Sequence, residues 1–477
     1  MTYLNWMIVV LHALTAVVAS WHALLYKRDS RAAFGWIGVC ILFPLVGPLL
    51  YYLLGVNRVE NRARLLSGKK PHRRFVDFER GAELPRLAEL GIGLDDSSTG
   101  LARASLAITG QRLVPGNHVA ALFNGENAYP AMLAAIDNAS EAICLMTYIF
   151  ETNTIGRHFI EALGNAVMRG VDVRVIIDGM GEKYSLPRAA HLLKRVGVAV
   201  SLYNPPRLLP PTLSINLRSH RKILVIDNVI GFTGGMNIGD RHLVKEPAVK
   251  RPVADIHFAL QGPVVAQLRS VFAASWHQVT HQELPVLATS DKVFGTSNCR
   301  VIIDGPDENL DRLAMVLQAA VTSAQHSIRI MTPYFLPSQA LIGCLQSAAL
   351  RGVNVELILP GLNNLPYVHW ATRNMLWELL YYNISVFYQP PPFAHSKLFL
   401  VDDNYVLMGS ANIDPRSLRL NFELGVEIYD PALNAELNQY VDAVINTARR
   451  VTLSEVDGRS LPERTRDALC WLFAPYL

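Results

Sequence analysis

The chain contains the stretch LRSHRKILVID at residues 217–227, followed by GGMN at residues 234–237. The apolar and β-branched run that begins at His220 predicts a buried strand. Side chains alternate between the two faces of a strand, so His220 and Lys222 are predicted to point the same way. This pairs a proton-transfer group with a positive charge. The glycines allow a tight turn, after which we expect the Asn237 amide to reach back to the same site.

The same pattern occurs a second time, with AHSKLFLVD at residues 394–402 and GSAN at residues 409–412. Both copies follow the spacing H-x-K-x4-D-x6-G-[GS]-x-N, so His395, Lys397 and Asn412 take the places of the first set. One match can arise by chance, but two copies with identical internal offsets are not plausibly accidental. The doubled motif therefore indicates a functional site rather than two ordinary core strands.

A longer repeat surrounds the motifs, since RGVDVRVIIDG at residues 169–179 resembles RGVNVELILPG at residues 351–361. In each copy, apolar strand-like segments alternate with segments of helical length, and the motif strand comes last. The predicted fold class is α/β, with two similar halves at residues 108–290 and 291–477 and with β-sheet layers flanked by helices. A pseudo-twofold axis between the halves would bring both histidines together.

The N-terminal part holds two apolar stretches without formal charge, residues 2–26 and 32–57, separated by a short charged turn. Each stretch is long enough to cross a bilayer, which predicts a transmembrane helical hairpin over residues 1–57. The alternative is a buried apolar hairpin in a soluble protein. A cleaved signal peptide is not expected, because no basic segment precedes the first stretch.

Residues 58–107 are predicted to form a basic juxtamembrane linker. Seven lysines and arginines lie between residues 58 and 74, against three in the turn between the apolar stretches. By the positive-inside rule, this excess predicts that everything after Asn57 is cytoplasmic. The same charges would either bind an anionic leaflet surface or form a solvated linker that only sets the orientation of the protein in the membrane. Residues 80–107 are weakly periodic and are predicted to be linker.

Composition narrows the classes of partner and cofactor. The net charge of +4 over 477 residues is too small to indicate nucleic-acid binding, and the basic excess lies beside the apolar stretches. The five cysteines are scattered and fit small buried side chains in a reducing compartment. We find no clustered ligand set typical of a metal site and no phosphate-binding loop typical of a nucleotide site. We therefore expect no metal and no cofactor.

The doubled motif resembles the paired histidine-lysine-aspartate signature of the phospholipase D superfamily, whose two halves bring both histidines to a single phosphate. The N-terminal stretches, with Arg31, Trp36, Pro44 and Tyr51, resemble the N-terminal segment of bacterial cardiolipin synthases. The arrangement N-x-R-x-H-R-K at residues 216–222 is similar to that family as well. The resemblance extends over nearly the whole chain from Arg31 onward.

This resemblance implies a cardiolipin synthase that transfers a phosphatidyl group between two phosphatidylglycerol molecules through a phosphohistidine and releases glycerol. The implied partners are phosphatidylglycerol, other anionic phospholipids and a membrane, without nucleic acid. The implied location is the bacterial inner membrane, with several spans and a cytoplasmic catalytic part. The alternatives are a membrane-anchored phospholipase D that releases phosphatidic acid, a nuclease, and a non-catalytic scaffold that binds anionic lipids. The second lipid, which is phosphatidylglycerol or phosphatidylethanolamine, product regulation and the oligomeric state stay open.

The resemblance assigns the catalytic positions to the motif members, which are His220, Lys222, Asp227, His395, Lys397 and Asp402. We expect His220 to attack phosphorus and His395 to protonate the leaving alcohol, and the pseudo-symmetry leaves the reverse order open. The lysines would neutralise phosphate oxygens, and Asn237 and Asn412 would donate hydrogen bonds to them. The two aspartates lie at the far ends of their strands, where we expect them to hold a turn rather than to touch phosphate.

Two further carboxylates are predicted to support the histidines. Glu423 lies 28 residues after His395 and is expected to orient that histidine by accepting its ring N–H. The predicted counterpart for His220 is Asp255, although the spacing there is seven residues longer.

Three apolar segments have two possible environments. Proline-interrupted loops precede both motifs, at residues 205–213 and 388–393. They are predicted either to dip into a membrane interface and admit acyl chains or to pack on the domain. The C-terminal residues 471–477 are apolar enough either to dock on the domain or to contact a membrane.

Overall fold

The computed structural model describes residues 3–27, 29–56, 93–206, 216–287 and 292–474. The chain divides into two compact units, Met1–Leu66 and Ser67–Leu477. The basic cluster at residues 58–74 lies outside the described residues, as do most of the loop at residues 205–213 and the last three residues of the chain. The predictions for these segments stay predictions.

The smaller unit is a set of apolar helices, which are α1 (Tyr3–Tyr26), α2 (Ser30–Leu42) and α3 (Val46–Leu50), with a π-helical turn over Tyr51–Gly55. Small side chains of α1, among them Ala19 and Ala23, pack against Cys40 and Tyr51. Among the described residues, Asn5–Tyr26 is the one helix that is long and apolar enough to cross a bilayer. The second predicted span is broken after Leu42, because Pro44 forces the preceding residue into an extended conformation.

The larger unit contains the remaining helices, which are α4 (Asp96–Thr109), α5 (Asn124–Asp137), α6 (Thr154–Met168), α7 (Ala189–Arg195), α8 (Val264–Thr280), α9 (Arg312–Ser323), α10 (Gln339–Leu350), α11 (Pro366–Met375), α12 (Trp377–Leu380), α13 (Pro431–Thr447), α14 (Leu453–Asp457) and α15 (Leu461–Leu472). Its strands are β1 (Val114–Phe123), β2 (Ala142–Thr147), β3 (Asp172–Asp178), β4 (Ala199–Tyr203), β5 (Ile223–Ile226), β6 (Ile230–Gly234), β7 (Val253–Ala254), β8 (Ile256–Gln261), β9 (Ser297–Asp304), β10 (Ser327–Met331), β11 (Asn354–Pro360), β12 (Ser385–Gln389), β13 (Phe393–Ala394), β14 (Leu398–Val401), β15 (Tyr405–Gly409), β16 (Glu423–Tyr429) and β17 (Arg449–Val451).

The strand order shows the same half twice. The first half has the order β1-β8-β6-β5-β2-β3-β4, and the second has β9-β16-β15-β14-β10-β11-β12 with β17 added at its edge. Strands β2, β3 and β4 are parallel, as are β10, β11 and β12. The two halves join where β1 pairs antiparallel with β9. The predicted α/β fold of two similar halves is confirmed.

Helix α4 occupies the last part of the predicted linker. The Asp95 side chain caps its first turn, and Gly110 ends it in a left-handed conformation with φ 68°. Leu101 and Ala102 are buried in the core of the second half. Because the buried face of α4 also includes serines, its apolar periodicity is too weak to stand out in the sequence.

The motif strands are shorter than predicted. Strand β5 begins at Ile223 and not at His220, because the backbone before it pairs with the other half. Ser219 forms a parallel bridge with Phe422, and β13 pairs in parallel with β7. Each histidine therefore lies in a segment that crosses from its own half to the opposite one.

Candidate active site

The backbone of each histidine is held by the opposite half. The His220 N–H donates to the Phe422 carbonyl at 2.9 Å, and the His395 N–H donates to the Ala254 carbonyl at 2.7 Å. The residue after each of these carbonyls is a carboxylate, Glu423 or Asp255. The pairing between the halves thus delivers one acid to the neighbourhood of each histidine.

The carboxylates are crossed between the halves. His220 Nδ1 lies 3.1 Å from Glu423 Oε2, and His395 Nδ1 lies 2.8 Å from Asp255 Oδ2. The prediction that Glu423 orients His395 and that Asp255 orients His220 is therefore wrong. Spacing along the sequence suggested that each histidine pairs with a carboxylate of its own half. The parallel backbone pairing across the pseudo-twofold axis instead brings each histidine to the carboxylate of the opposite half.

The histidines differ from their acids in exposure. Each histidine side chain is 14% exposed, whereas both carboxylates are fully buried. A carboxylate at Nδ1 fixes the ring orientation and favours the tautomer with its proton on that nitrogen. The Nε2 atom of each ring then carries the lone pair that can act on a phosphorus atom or on an alcohol, and that of His395 has Lys397 beside it.

The two lysines lie beside the histidines. Lys222 Nζ donates to the His220 carbonyl at 2.7 Å, and Lys397 Nζ lies 3.1 Å from His395 Nε2. Burial lowers the pKa of Lys222 to about 7 and the pKa of Lys397 to about 8. A bound phosphate would counter the cost of burying these charges, so the site is suited to an anion.

Burial also lowers the pKa of both histidines. Glu423 acts against this effect at His220, while the two lysines add to it. The pKa of His395 lies well below its usual value because of burial, Lys397, Lys222 and His220. Near neutral pH the site without substrate therefore holds neutral imidazoles, and an arriving phosphate would favour protonation by screening the lysines.

The motif aspartates hold the backbone together away from the histidines. Asp227 accepts hydrogen bonds from the main-chain N–H groups of residues 140–142, each at 2.8 Å. Asp402 accepts corresponding bonds from residues 325–327. Both aspartates have a φ of 51°. The expectation that they hold a turn is confirmed, and each ties the end of its motif strand to the start of β2 or β10.

The motif asparagines make internal bonds. Asn237 Oδ1 accepts from the Ile149 N–H at 3.1 Å, and Asn412 Nδ2 donates to the Ser417 hydroxyl at 3.2 Å. These bonds fix the planes of both amides. Hydrogen bonds from the asparagines to a phosphate stay a prediction.

Several residues near the site were missed by the sequence analysis. The centroid of the Tyr148 ring lies 5.2 Å from that of the His220 ring. Lys222 Nζ lies 5.8 Å from the Tyr148 centroid. The repeat places Tyr334 at the matching position of the second half, which was the available signal. A buried ion pair also supports the first motif, with Arg218 Nε 3.1 Å from Asp178 Oδ2. Burial raises the pKa of Asp178 to about 6.

The halves differ next to the carboxylates. In the second half, the Ser410 hydroxyl donates to Glu423 Oε2. The first half has Gly235 at this position, where an added Cβ would lie 2.5 Å from both oxygens of Asp255. The longer acid is thus matched with a hydroxyl donor and the shorter acid with a glycine, which gives the two histidines unequal surroundings.

The family model described as "Cardiolipin synthase, PLD-like domain" matches residues 132–276 and 317–445, which together are more than half of the chain. The chain belongs to this family. A second model, described as the phospholipase D-nuclease N-terminal segment, matches residues 14–55. Both matched regions of the larger unit contain one complete motif each, in agreement with the repeat seen in the sheet.

Curated relatives are similar over nearly their whole length. The chain is 29% identical to the major cardiolipin synthase of Bacillus subtilis, over 94% of this chain and 95% of that protein. It is 28% identical to cardiolipin synthase A of Pseudomonas putida, over 93% and 92% of the two chains. It is 29% identical to cardiolipin synthase 1 of Staphylococcus epidermidis, over 97% and 96%.

A solved structure has a similar fold. Phosphatidylserine synthase of Haemophilus influenzae superposes with a TM-score of 0.56 at 16% identity, over 75% of this chain and 95% of that chain. This likeness supports the two-repeat architecture. The family and the apolar helix α1 together indicate a membrane-associated phosphatidyltransferase that acts on phospholipids.

Proposed function

We propose that this protein is a cardiolipin synthase that transfers a phosphatidyl group from one phosphatidylglycerol molecule to another, giving cardiolipin and glycerol. The observation that carries the proposal is the crossed site, in which two histidines, two carboxylates and two buried lysines meet between the halves. The similarity to proteins named cardiolipin synthases supports the choice of substrate.

In the first step, Nε2 of His220 attacks the phosphorus of one lipid, and the bond from phosphorus to the glycerol oxygen breaks. The leaving oxygen takes a proton from His395, whose pKa the bound phosphate raises by screening the lysines. The Glu423 carboxylate accepts a hydrogen bond from the Nδ1–H group of His220 and stabilises the positive charge that develops on the ring. The product of this step is a phosphohistidine that carries the phosphatidyl group.

In the second step, the headgroup hydroxyl of another phosphatidylglycerol attacks this phosphorus. Neutral His395 takes the hydroxyl proton, and Asp255 stabilises the imidazolium that forms. The bond between phosphorus and Nε2 breaks, which restores His220. One phosphodiester replaces another, so no nucleotide is consumed.

The lysines supply the charge that the phosphate needs. Lys222 and Lys397 neutralise the non-bridging oxygens, and Asn237 and Asn412 donate hydrogen bonds to them. Because both lysines are nine-tenths or more buried, the attraction of their charges to the phosphate is stronger than in water.

The membrane arrangement is part of the proposal. We place α1 and the following apolar helices in the bacterial inner membrane as a multi-pass anchor, with the larger unit in the cytoplasm. A cysteine introduced at Leu350, which is 74% exposed, should react with a membrane-impermeant thiol reagent in inverted vesicles but not in intact cells. Labelling from outside would place the larger unit on the other side.

The decisive experiment uses the full chain in vesicles that contain radiolabelled phosphatidylglycerol, with products resolved by thin-layer chromatography. We expect cardiolipin and glycerol in equal amounts, and neither product from folded His220→Ala or His395→Ala. Phosphatidic acid as the main product would replace the transferase assignment with a hydrolase. Cleavage of single-stranded DNA without any lipid product would support a nuclease.

The order of the histidines is tested by trapping the intermediate. Denaturing the enzyme during turnover should leave the phosphatidyl group on the peptide that contains His220. A label on the His395 peptide would reverse the two roles while leaving the reaction intact.

A further inference from the structure

Helix α15 buries one carboxylate against the protein. Asp467 is completely buried and forms ion pairs with Arg459 at 2.6 Å, Arg466 at 2.7 Å and Arg373 of α11 at 3.6 Å. These contacts satisfy a carboxylate that would be costly to bury alone. The side of this helix that packs on the protein thus contains Asp467 together with the partly buried Cys470.

The opposite side of α15 is apolar and exposed. Leu461, Leu469, Leu472 and the adjoining Phe473 expose 76%, 54%, 63% and 61% of their surface. Leu461, Leu469 and Leu472 fall on one helical face together with the exposed Thr465, since residues three or four apart are neighbours. A surface helix in water normally exposes mainly polar side chains, so three exposed leucines on one face fit a non-aqueous neighbour.

Basic and aromatic residues border the apolar face. Arg464 is exposed on the same helix, and the Arg466 guanidinium lies 4.4 Å from the Trp370 ring centroid. Trp471 is 40% exposed. An apolar face of leucines bordered by tryptophan and arginine is typical of a helix that lies in the surface of a membrane with anionic headgroups.

Helix α15 packs against α11, where Arg373 contacts Asp467 and Trp370 contacts Arg466. Just before α11, Asn364 accepts a hydrogen bond from the Tyr334 hydroxyl at 2.8 Å.

Tyr334 connects the segment before α11 to the second motif. Its ring centroid lies 6.4 Å from that of Phe393, which in turn lies 6.0 Å from that of His395. The helix against which α15 packs therefore begins close to the surroundings of the second histidine.

We infer that α15 is a membrane-contact helix, which lies in the surface of an anionic bilayer with its leucines among the acyl chains and its arginines among the headgroups. The inference goes beyond phosphatidyl transfer and holds for any lipid chemistry at the site. The charge favours a bilayer over a second copy of the chain, because two copies that pack symmetrically through this face would bring the exposed Arg464 of each into one interface.

The test places the photoreactive residue p-benzoylphenylalanine at Leu469 in the full chain, reconstituted in phosphatidylglycerol vesicles. The matched control carries it at Leu350, an equally apolar, 74% exposed position at the start of the chain segment that leads into β11. Irradiation should add the mass of one phospholipid at position 469, and several-fold less at position 350. A covalent dimer through position 469 would overturn the inference in favour of a second copy. Equal lipid adducts at both positions, or no adduct at 469, would also overturn it.

Two variations separate this inference from the proposed reaction. The same adduct should form in the His220→Ala background, because the contact does not require turnover. It should decrease several-fold when phosphatidylcholine replaces phosphatidylglycerol, since arginine attraction to the headgroups is lost. An unchanged yield in phosphatidylcholine would overturn the anionic part of the inference.

Discussion

Replacing Glu423 with glutamine tests the crossed pairing, because an amide keeps the shape of the side chain and removes its charge. Glu423 is fully buried, and its Oε2 accepts hydrogen bonds from His220 Nδ1, at 3.1 Å, and from the Ser410 hydroxyl. Burial and the lysines lower the pKa of His220, and the carboxylate opposes them. In Glu423→Gln, the pKa of His220 should therefore fall further, while that of His395, which pairs with Asp255, stays nearly constant.

The magnitude follows from the lost interaction. A hydrogen bond to a charged group contributes about 1.5–3 kcal/mol. Since 1.36 kcal/mol corresponds to tenfold, losing it should slow the reaction by about 10- to 100-fold. His220 attacks only while Nε2 carries no proton, so the acid limb of kcat/KM should move to lower pH by about one to two pH units.

The assay measures glycerol release from phosphatidylglycerol vesicles against pH, together with the titration of both histidines by NMR. Asp255→Asn is the matched variant, and it should shift His395 instead of His220. A shift of His395 in Glu423→Gln with His220 unmoved would refute the crossed pairing. An unmoved acid limb, despite a shifted His220, would refute its assignment as nucleophile.

Three other changes follow from the site. Gly235→Ala should reduce kcat by about 100-fold, because the added Cβ would lie 2.5 Å from both oxygens of Asp255 and would push the carboxylate away from His395. The control is Gly100→Ala, where no atom lies within 4 Å of the added Cβ, and it should leave kcat unchanged. Burial lowers the pKa of Lys222 to about 7, so its charge is present below that pH and lost above it. The KM for phosphatidylglycerol should therefore rise from about pH 7 to about pH 9, and less steeply in Lys222→Arg. At Asp227, burial acts to raise the pKa and backbone N–H groups outweigh it, so the net pKa is lowered. Its stabilising effect is present above the unfolded pKa and lost as pH falls through the folded one. The unfolding midpoint of Asp227→Asn should therefore depend less on pH below about pH 4 than that of the unchanged protein, while activity per folded molecule is kept.

Much of the fold could be predicted because the sequence contains an internal repeat. The duplicated RGV segments and the two motifs predicted two like α/β halves, and the strand orders of the halves agree position by position. The turn-holding role of Asp227 and Asp402 was also predictable, since each lies at the end of a short apolar strand. Local patterns determined these features, and local patterns are visible in a single sequence.

The crossed carboxylates were not predictable in the same way. Distance along the chain favours partners within one half, and nothing in the spacing of Glu423 shows that the backbone beside it pairs with His220 of the other half. Helix α4 was missed because serines share its buried face. The break after Leu42 was within reach, since Pro44 stands in the middle of the second apolar stretch.

The crossed geometry makes each half incomplete by itself. Each histidine takes its backbone partner and its carboxylate from the other half, so the contacts that form the active site are also contacts that join the two halves. Such a site would be symmetric in a dimer of identical halves, yet the reaction requires one histidine to bond phosphorus while the other exchanges a proton. Joining the halves in one chain lets the sequence differ on the two sides of the axis. Ser410 beside Glu423 and Gly235 beside Asp255 are such a difference, placed next to the groups that set the protonation of the two rings.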